Sequence, residues 1–201
     1  MRLGLYGGSF NPIHVGHLLI GEFVREEWNL DEIWFIPSAT PPHKRGQELA
    51  TAELRVQMVR LAIRGNPRFR CSEIEIRRGG ISYTRDTLRQ IRDELGQSAE
   101  LFWFIGMDNL VDFHKWRHPE EILSLCKLIV LQRPGFSAAG VDPDLLNQVI
   151  FSRAPLLDIS SSLIRRRVQT GLSIRYFVPD SVRHFIYEKQ LYGSQGETHS
   201  S

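Results

Sequence analysis

Cysteine is nearly absent: Cys71 and Cys126 are the only two, far apart and outside any CxxC pattern. That argues against a disulfide scaffold or a zinc knuckle and makes a reducing cytoplasm the expected compartment. Net charge is scarce as well. The 25 Lys and Arg against 23 Asp and Glu leave +2, too little to hold a nucleic-acid polymer. The basic residues are scattered apart from Arg165-Arg166-Arg167, a cluster that suits either a small polyanion or a solvated helix face. No apolar run approaches the roughly 20 residues needed to span a bilayer. No charged and then apolar leader precedes the strand-like Arg2–Tyr6, so neither a membrane span nor a signal peptide is expected. Two common nucleotide loops are missing too. There is no GxGxxG after the first apolar run, which disfavours a Rossmann dehydrogenase, and no Walker loop with its Lys-Ser/Thr ending.

The 201 residues carry ordinary apolar and charged fractions, enough chain to bury a core. Arg2–Tyr6, Ile33–Ile36, Leu101–Ile105 and Leu128–Leu131 are short, almost wholly apolar runs. Phe69–Cys71, Ile74–Ile76 and Ile150–Phe151 read as further strand segments. Between them lie stretches with helical spacing. Val15–Trp28 has Leu18, Leu19, Phe23 and Val24 recurring at helical spacing, and a segment opening at Thr51 has Leu54, Met58, Leu61 and Ala62 on one face. Others begin near Tyr83–Thr84 and close at Gly96, or cover Ser161–Gln169 and Asp180–Lys189. Buried strands alternating with amphipathic helices predict an α/β fold, doubly wound around a mostly parallel sheet. One domain over 1–192 is expected, with a polar tail at 193–201.

In such sheets ligands sit beyond the carboxyl ends of the strands, where strand order reverses. The segment after the first strand is Gly7-Gly-Ser-Phe-Asn-Pro-Ile-His14-Val-Gly-His17. Gly7, Gly8, Ser9 and Phe10 allow close approach to a phosphate and lead into a helix N-terminus. His14 and His17, three apart, share a face if the helix starts near His14, and each ring can donate to a phosphoryl oxygen. The alternative is one capping and one packing histidine. Zinc is disfavoured, because neither cysteine lies near this pair or near His114 and His118. Asp108, after a strand and a glycine, either meets a ribose hydroxyl or caps a helix starting at Asn109. Ser160-Ser-Ser162 opens a helix, and Arg165 follows one turn on. Trp116 stands among charges, either as a lid over core or as a stacking plate.

Gly7–His17 resembles the signature of the HxGH nucleotidylyltransferase superfamily, and Ile159-Ser160-Ser161-Ser162-Leu-Ile-Arg165 resembles its second signature. Pro42-His43-Lys44, Ser82-Tyr83-Thr84-Arg-Asp-Thr87, Gly106-Met-Asp108 and Trp116 resemble the bacterial nicotinate-nucleotide adenylyltransferases, and the likeness runs from about Met1 to Tyr192. The resemblance implies transfer of AMP from ATP to nicotinate mononucleotide, giving nicotinate adenine dinucleotide and pyrophosphate in NAD biosynthesis. It implies an ATP site of Gly7, Gly8, Ser9, Phe10, His14, His17, Ile159, Ser161, Ser162 and Arg165, with the two histidines catalytic. Lys44, Tyr83, Thr84, Gly106, Asp108, Trp116 and Arg133 would hold the mononucleotide. Mg2+ would arrive with ATP and keep several waters, without a dedicated carboxylate cage. Where relatives have a tyrosine after the tryptophan, this chain has Arg117. The loop Ser38–Gln47 is a candidate lid, and a homo-oligomer is left open. The rivals are another HxGH enzyme acting on phosphopantetheine or a cytidine nucleotide, and a nucleotide sensor without turnover.

Overall fold

The computed structural model describes residues 1–40, 49–132, 135, 137–155 and 157–193. Six strands form one sheet: β1 (Arg2–Gly8), β2 (Glu32–Pro37), β3 (Phe69–Cys71), β4 (Glu100–Gly106), β5 (Lys127–Leu131) and β6 (Val149–Phe151). Every pairing is parallel, in the order β3-β2-β1-β4-β5-β6. Chain direction across the sheet therefore reverses between β1 and β4, and the crevice at their carboxyl ends is where a ligand belongs. No helix among the described residues is long and apolar enough to cross a membrane.

The near-continuous apolar strands follow from burial on both faces. Alternate residues of β4 point opposite ways. Leu101, Trp103 and Ile105 join Leu3, Leu5, Leu128 and Val130 on one face, whereas Phe102 and Phe104 join Ile33, Phe35, Ile129 and Leu131 on the other. The first face is covered by α3 (Ile74–Arg78), α4 (Thr84–Leu95), α5 (Met107–Val111) and α6 (Pro119–Leu125), through Ile74, Leu88, Ile91, Leu110 and Ile122. A short α7 (Pro143–Leu146) precedes β6. The second face is covered by α1 (Val15–Glu27), α2 (Ala52–Ala62), α8 (Ser161–Gln169) and α9 (Asp180–Glu188), through Val24, Met58, Val59, Ile164, Val168, Val182 and Ile186.

Several local expectations are corrected. The glycines do not break the first strand: Gly7 pairs with Ile36 and Gly8 with Pro37. A Cβ on Gly7 would stand 2.6 Å from the Trp103 ring, so glycine is what lets β1 lie beside that ring. Ile74–Ile76 alternates like a strand but is helical, because buried Glu75 finds its partner on α4, where the Thr87 hydroxyl donates to it at 2.6 Å, and Gly79 closes the turn at φ 69°. The inward face of α2 is Arg55, Val56, Met58 and Val59, rotated from the Leu54 stripe. Pro119 starts a helix, with His118 in the left-handed region at φ 55° before it. Helix α5 begins at Met107 with Gly106 as its N-cap, so Asp108 lies in the first turn and does not cap.

Candidate active site

At the carboxyl ends of β1 and β4 the strands open into a cavity of about 460 Å3. Gly7, Gly8, Ser9, Phe10, His14 and His17 line it from the β1 side, Ile159, Ser161 and Ser162 from the start of α8, and Gly106 from the end of β4. Two segments separated by most of the chain thus meet at the point where strand order reverses.

His14 is the N-cap of α1 and His17 its third residue. Their rings stack face to face, with centroids 3.6 Å apart and planes 29° apart. Gly16 permits this, since a Cβ there would come within 3.1 Å of the His14 Nδ1. The His14 backbone N–H donates to His17 Nδ1 at 3.2 Å. Nδ1 therefore acts as the acceptor, and in the neutral ring the proton sits on Nε2. The edges of Tyr6 and Phe10, at 5.7 and 5.1 Å between centroids, fix the ring from the sheet side. Backbone donors at this end are partly spent: Val15 N–H goes to Phe177 O and His17 N–H to His14 O. The imidazoles, more than the backbone, are the polar groups this end offers.

The opposite wall starts at Ser160, whose Oγ accepts from Leu163 N–H at 3.1 Å as an N-cap should. Ser161 Oγ donates to Pro12 O at 2.8 Å and Arg165 donates to Asn11 O at 2.9 Å, clamping α8 onto the loop before α1. The Ser161 proton is spent on this clamp. The other arm of Arg165 donates to Ser162 Oγ at 3.2 Å. Arg165 lies outside the first cavity and lines a neighbouring one of about 710 Å3, with Ser162 between the two.

The residues expected around the pyridine ring form a second group outside both cavities. Thr84 opens α4, and Tyr83 is its N-cap. Ser82 Oγ accepts from Ala39 N–H at 2.9 Å, and Thr40 bridges to Ile81, which brings this segment against the end of β2. Trp116 is half-buried on Phe113, 5.4 Å between centroids, and its neighbour Arg117 lies over the Tyr83 ring at 5.0 Å. The Arg117 side chain is therefore part of this cluster. Lys44, Arg133 and most of the candidate lid lie outside the described residues.

Behind Tyr83, burial pushes the Glu75 carboxyl above its ordinary value of 4.5, against hydrogen bonds from Ser82 and Thr87 and the charges of Arg78 and Arg55. A carboxyl raised in the folded state stabilises below its unfolded value, and that contribution is lost as pH rises through the folded one. Glu75→Gln stays neutral throughout. The melting temperature of the variant relative to wild type should therefore climb as pH rises above about 4.5; a flat difference contradicts the assignment. Burial likewise raises the Cys71 thiol to about 11 and Cys126 to about 12, so both are protonated and unreactive at neutral pH.

Sequence reasoning missed Asn11 and Arg55. Asn11 is fully buried, and its Oδ1 accepts from Ala50 N–H at 3.1 Å and Tyr192 O–H at 2.8 Å. Its place inside the first motif was the available signal. For Arg55 the signal was its three- and four-residue spacing from Met58 and Val59.

A parallel sheet in this order, with a histidine pair at the first helix and a serine-led helix facing it, defines a nucleotidyltransferase of the cytidylyltransferase-like class, whose family profile matches residues 5–167. Proteins named "Probable nicotinate-nucleotide adenylyltransferase" are close relatives. That of Salinibacter ruber is 43% identical, with 96% of this chain and 98% of the relative aligned. That of Geobacillus thermodenitrificans is 41% identical over 96% and 87%. The chain belongs to the nicotinate-nucleotide adenylyltransferase family. The fold is shared with the Plasmodium falciparum nicotinic acid mononucleotide adenylyltransferase solved in complex with NaAD, at TM-score 0.78 and 20% identity, covering 96% of this chain and 98% of that one.

Proposed function

We infer that the protein transfers the AMP half of ATP to the 5′-phosphate of nicotinate mononucleotide, yielding nicotinate adenine dinucleotide and pyrophosphate. The observation that carries this reading is the stacked His14–His17 pair facing the Ser160–Ser162 helix start across one cavity. The relatives' names supply the acceptor. ATP lies in the cavity, its α-phosphate against the histidines and its β- and γ-phosphates toward Ser162 and Arg165. The N–H groups of Ser161 and Ser162, at a helix start, suit the same anion. A phosphate oxygen of the mononucleotide attacks the α-phosphorus in line, the bond to the bridging oxygen breaks, and pyrophosphate departs with the electron pair. No protein nucleophile is required; the protein positions the partners and neutralises charge.

Mg2+ would arrive with ATP and would supply charge neutralisation at its phosphates. On the acceptor side, Thr84 and Tyr83 receive the nicotinate carboxylate at the start of α4, Trp116 stacks on the ring, and Asp108 and Gly106 line the path between the two halves. Lys44 and Arg133 are assigned to the mononucleotide through the family pattern.

Incubation of the protein with ATP, Mg2+ and a panel of mononucleotides, monitored for pyrophosphate, tests the reading. Release should depend on nicotinate mononucleotide; release driven instead by phosphopantetheine or a cytidine nucleotide overturns it. Arg165→Ala should raise KM for ATP roughly tenfold or more, the usual cost of a lost charge-assisted hydrogen bond, and weaken pyrophosphate binding. Affinity for the mononucleotide should stay within a few fold. Titrations in which only the mononucleotide weakens would reverse the two sites.

A further inference from the structure

Arg55 is a buried charge that the reaction as described does not use. It sits on the inward face of α2 and is 1% exposed. Among the described residues it has no ion pair; its guanidinium is spent on backbone carbonyls. Nε donates to Ala50 O at 3.0 Å, one terminal nitrogen to Ser9 O at 2.8 Å, and the other to Ser38 O at 2.7 Å and Ala39 O at 3.3 Å. Burying a cation without a carboxylate partner is costly, and a planar fork with five N–H donors can recover that cost where several carbonyls converge.

What the fork joins is informative. Ser9 belongs to the glycine loop that lines the cavity beside His14. Ser38 and Ala39 follow β2 and lead to the acceptor side: Ser38 N–H donates to Gly8 O at 2.9 Å, and Ala39 N–H donates to Ser82 Oγ at 2.9 Å, directly before Tyr83–Thr84. Ala50 is tied in turn to Asn11, whose carbonyl receives Arg165. The guanidinium thus sits at the junction between the ATP loop and the acceptor segment, behind the loop backbone, and lines neither cavity itself.

We propose that Arg55 is a positioning residue that sets the spacing between the Gly8–Phe10 loop and the Ser38–Ala39/Ser82–Thr84 segment, and so aligns the acceptor phosphate with the α-phosphorus of ATP. This rests on the adenylyl-transfer reading above. In-line displacement is sensitive to errors of an ångström between reactants that each still bind, so the effect falls on turnover with both sites full. A lysine keeps the charge but replaces the planar fork with a single ammonium, which cannot reproduce its geometry across the three segments.

The test measures Arg55→Lys and Ser82→Ala, singly and combined, for the affinity of each substrate alone, for the single-turnover rate at saturation and for melting temperature. Arg55→Lys should bind ATP and mononucleotide within about threefold of wild type yet turn over about tenfold or more slowly. Ser82→Ala should slow turnover by a smaller factor. The double variant should lose less than the product of the two single losses, because both residues hold one segment. A single-turnover rate within twofold of wild type in folded Arg55→Lys, or a loss accounted for wholly by weaker binding of one substrate, overturns the proposal. Should Arg55→Lys fail to fold, an unchanged rate in Ser82→Ala overturns it equally. A wild-type protein that forms no dinucleotide overturns the underlying reading and this proposal with it, whereas an active wild type with an unaffected Arg55→Lys removes the positioning role alone.

Discussion

His17→Ala is expected to lower kcat about a hundredfold or more, the usual cost of deleting one donor aimed at charge that grows in the transition state. ATP affinity should change by only a few fold. The expectation rests on how the ring is held. Its Nδ1 is occupied by the His14 N–H, which leaves Nε2 as the donor. Its faces and edges are fixed by His14, Tyr6 and Phe10. A donor immobilised before the substrate arrives costs no reorganisation during reaction, and that makes its removal a kcat effect more than a KM effect. His17 is half-buried in the cavity wall and supports no core packing comparable to Phe10, so circular dichroism and melting temperature should change little. A folded His17→Ala protein with near-wild-type kcat would remove the histidine from the chemistry.

The second large effect is the choice between the acid and the amide of the pyridine ring. Nicotinate mononucleotide should be preferred over nicotinamide mononucleotide by at least about a hundredfold in kcat/KM. Thr84 opens α4, and the bonds accepted by the Tyr83 carbonyl come from Asp86 and Thr87, so neither Thr84 nor Arg85 is drawn into that first-turn pair. Donors at a helix start favour an anion. Arg117 on the Tyr83 ring adds positive charge to the same side. The amide would set its own NH2 against these donors and leave polar groups unpaired, the situation in which sites discriminate by orders of magnitude. Trp116→Ala should slow both substrates, because stacking is indifferent to the substituent. Thr84→Ala should slow the acid more and narrow the ratio. Equal kcat/KM for the two mononucleotides on wild type would refute the deamido assignment and leave adenylyl transfer standing.

The sheet was legible because its strands are buried on both faces: runs such as Leu101–Ile105 announce themselves without any alternation. The first and last motifs were legible because each combines a helix start with groups that serve anions. Elements decided by a single tertiary contact were not. Ile74–Arg78 alternates like a strand and turns helical around the Glu75–Thr87 bond. The α2 stripe was misread by one residue because a buried arginine stands where an apolar side chain is expected. Chain-distant hydrogen bonds such as Ser161 to Pro12, Arg165 to Asn11 and Arg55 to Ser9 have no local signature at all. The first two convert two recognisable motifs into one cavity.

The central claim is that the bond broken in ATP lies between the α- and β-phosphates and that the new bond joins the α-phosphorus to the mononucleotide. ATP labelled on its α-phosphate, incubated with the protein, Mg2+ and nicotinate mononucleotide, should deliver its label to nicotinate adenine dinucleotide in amounts equal to the pyrophosphate released. Label recovered as AMP or ADP with no dinucleotide formed would contradict the account.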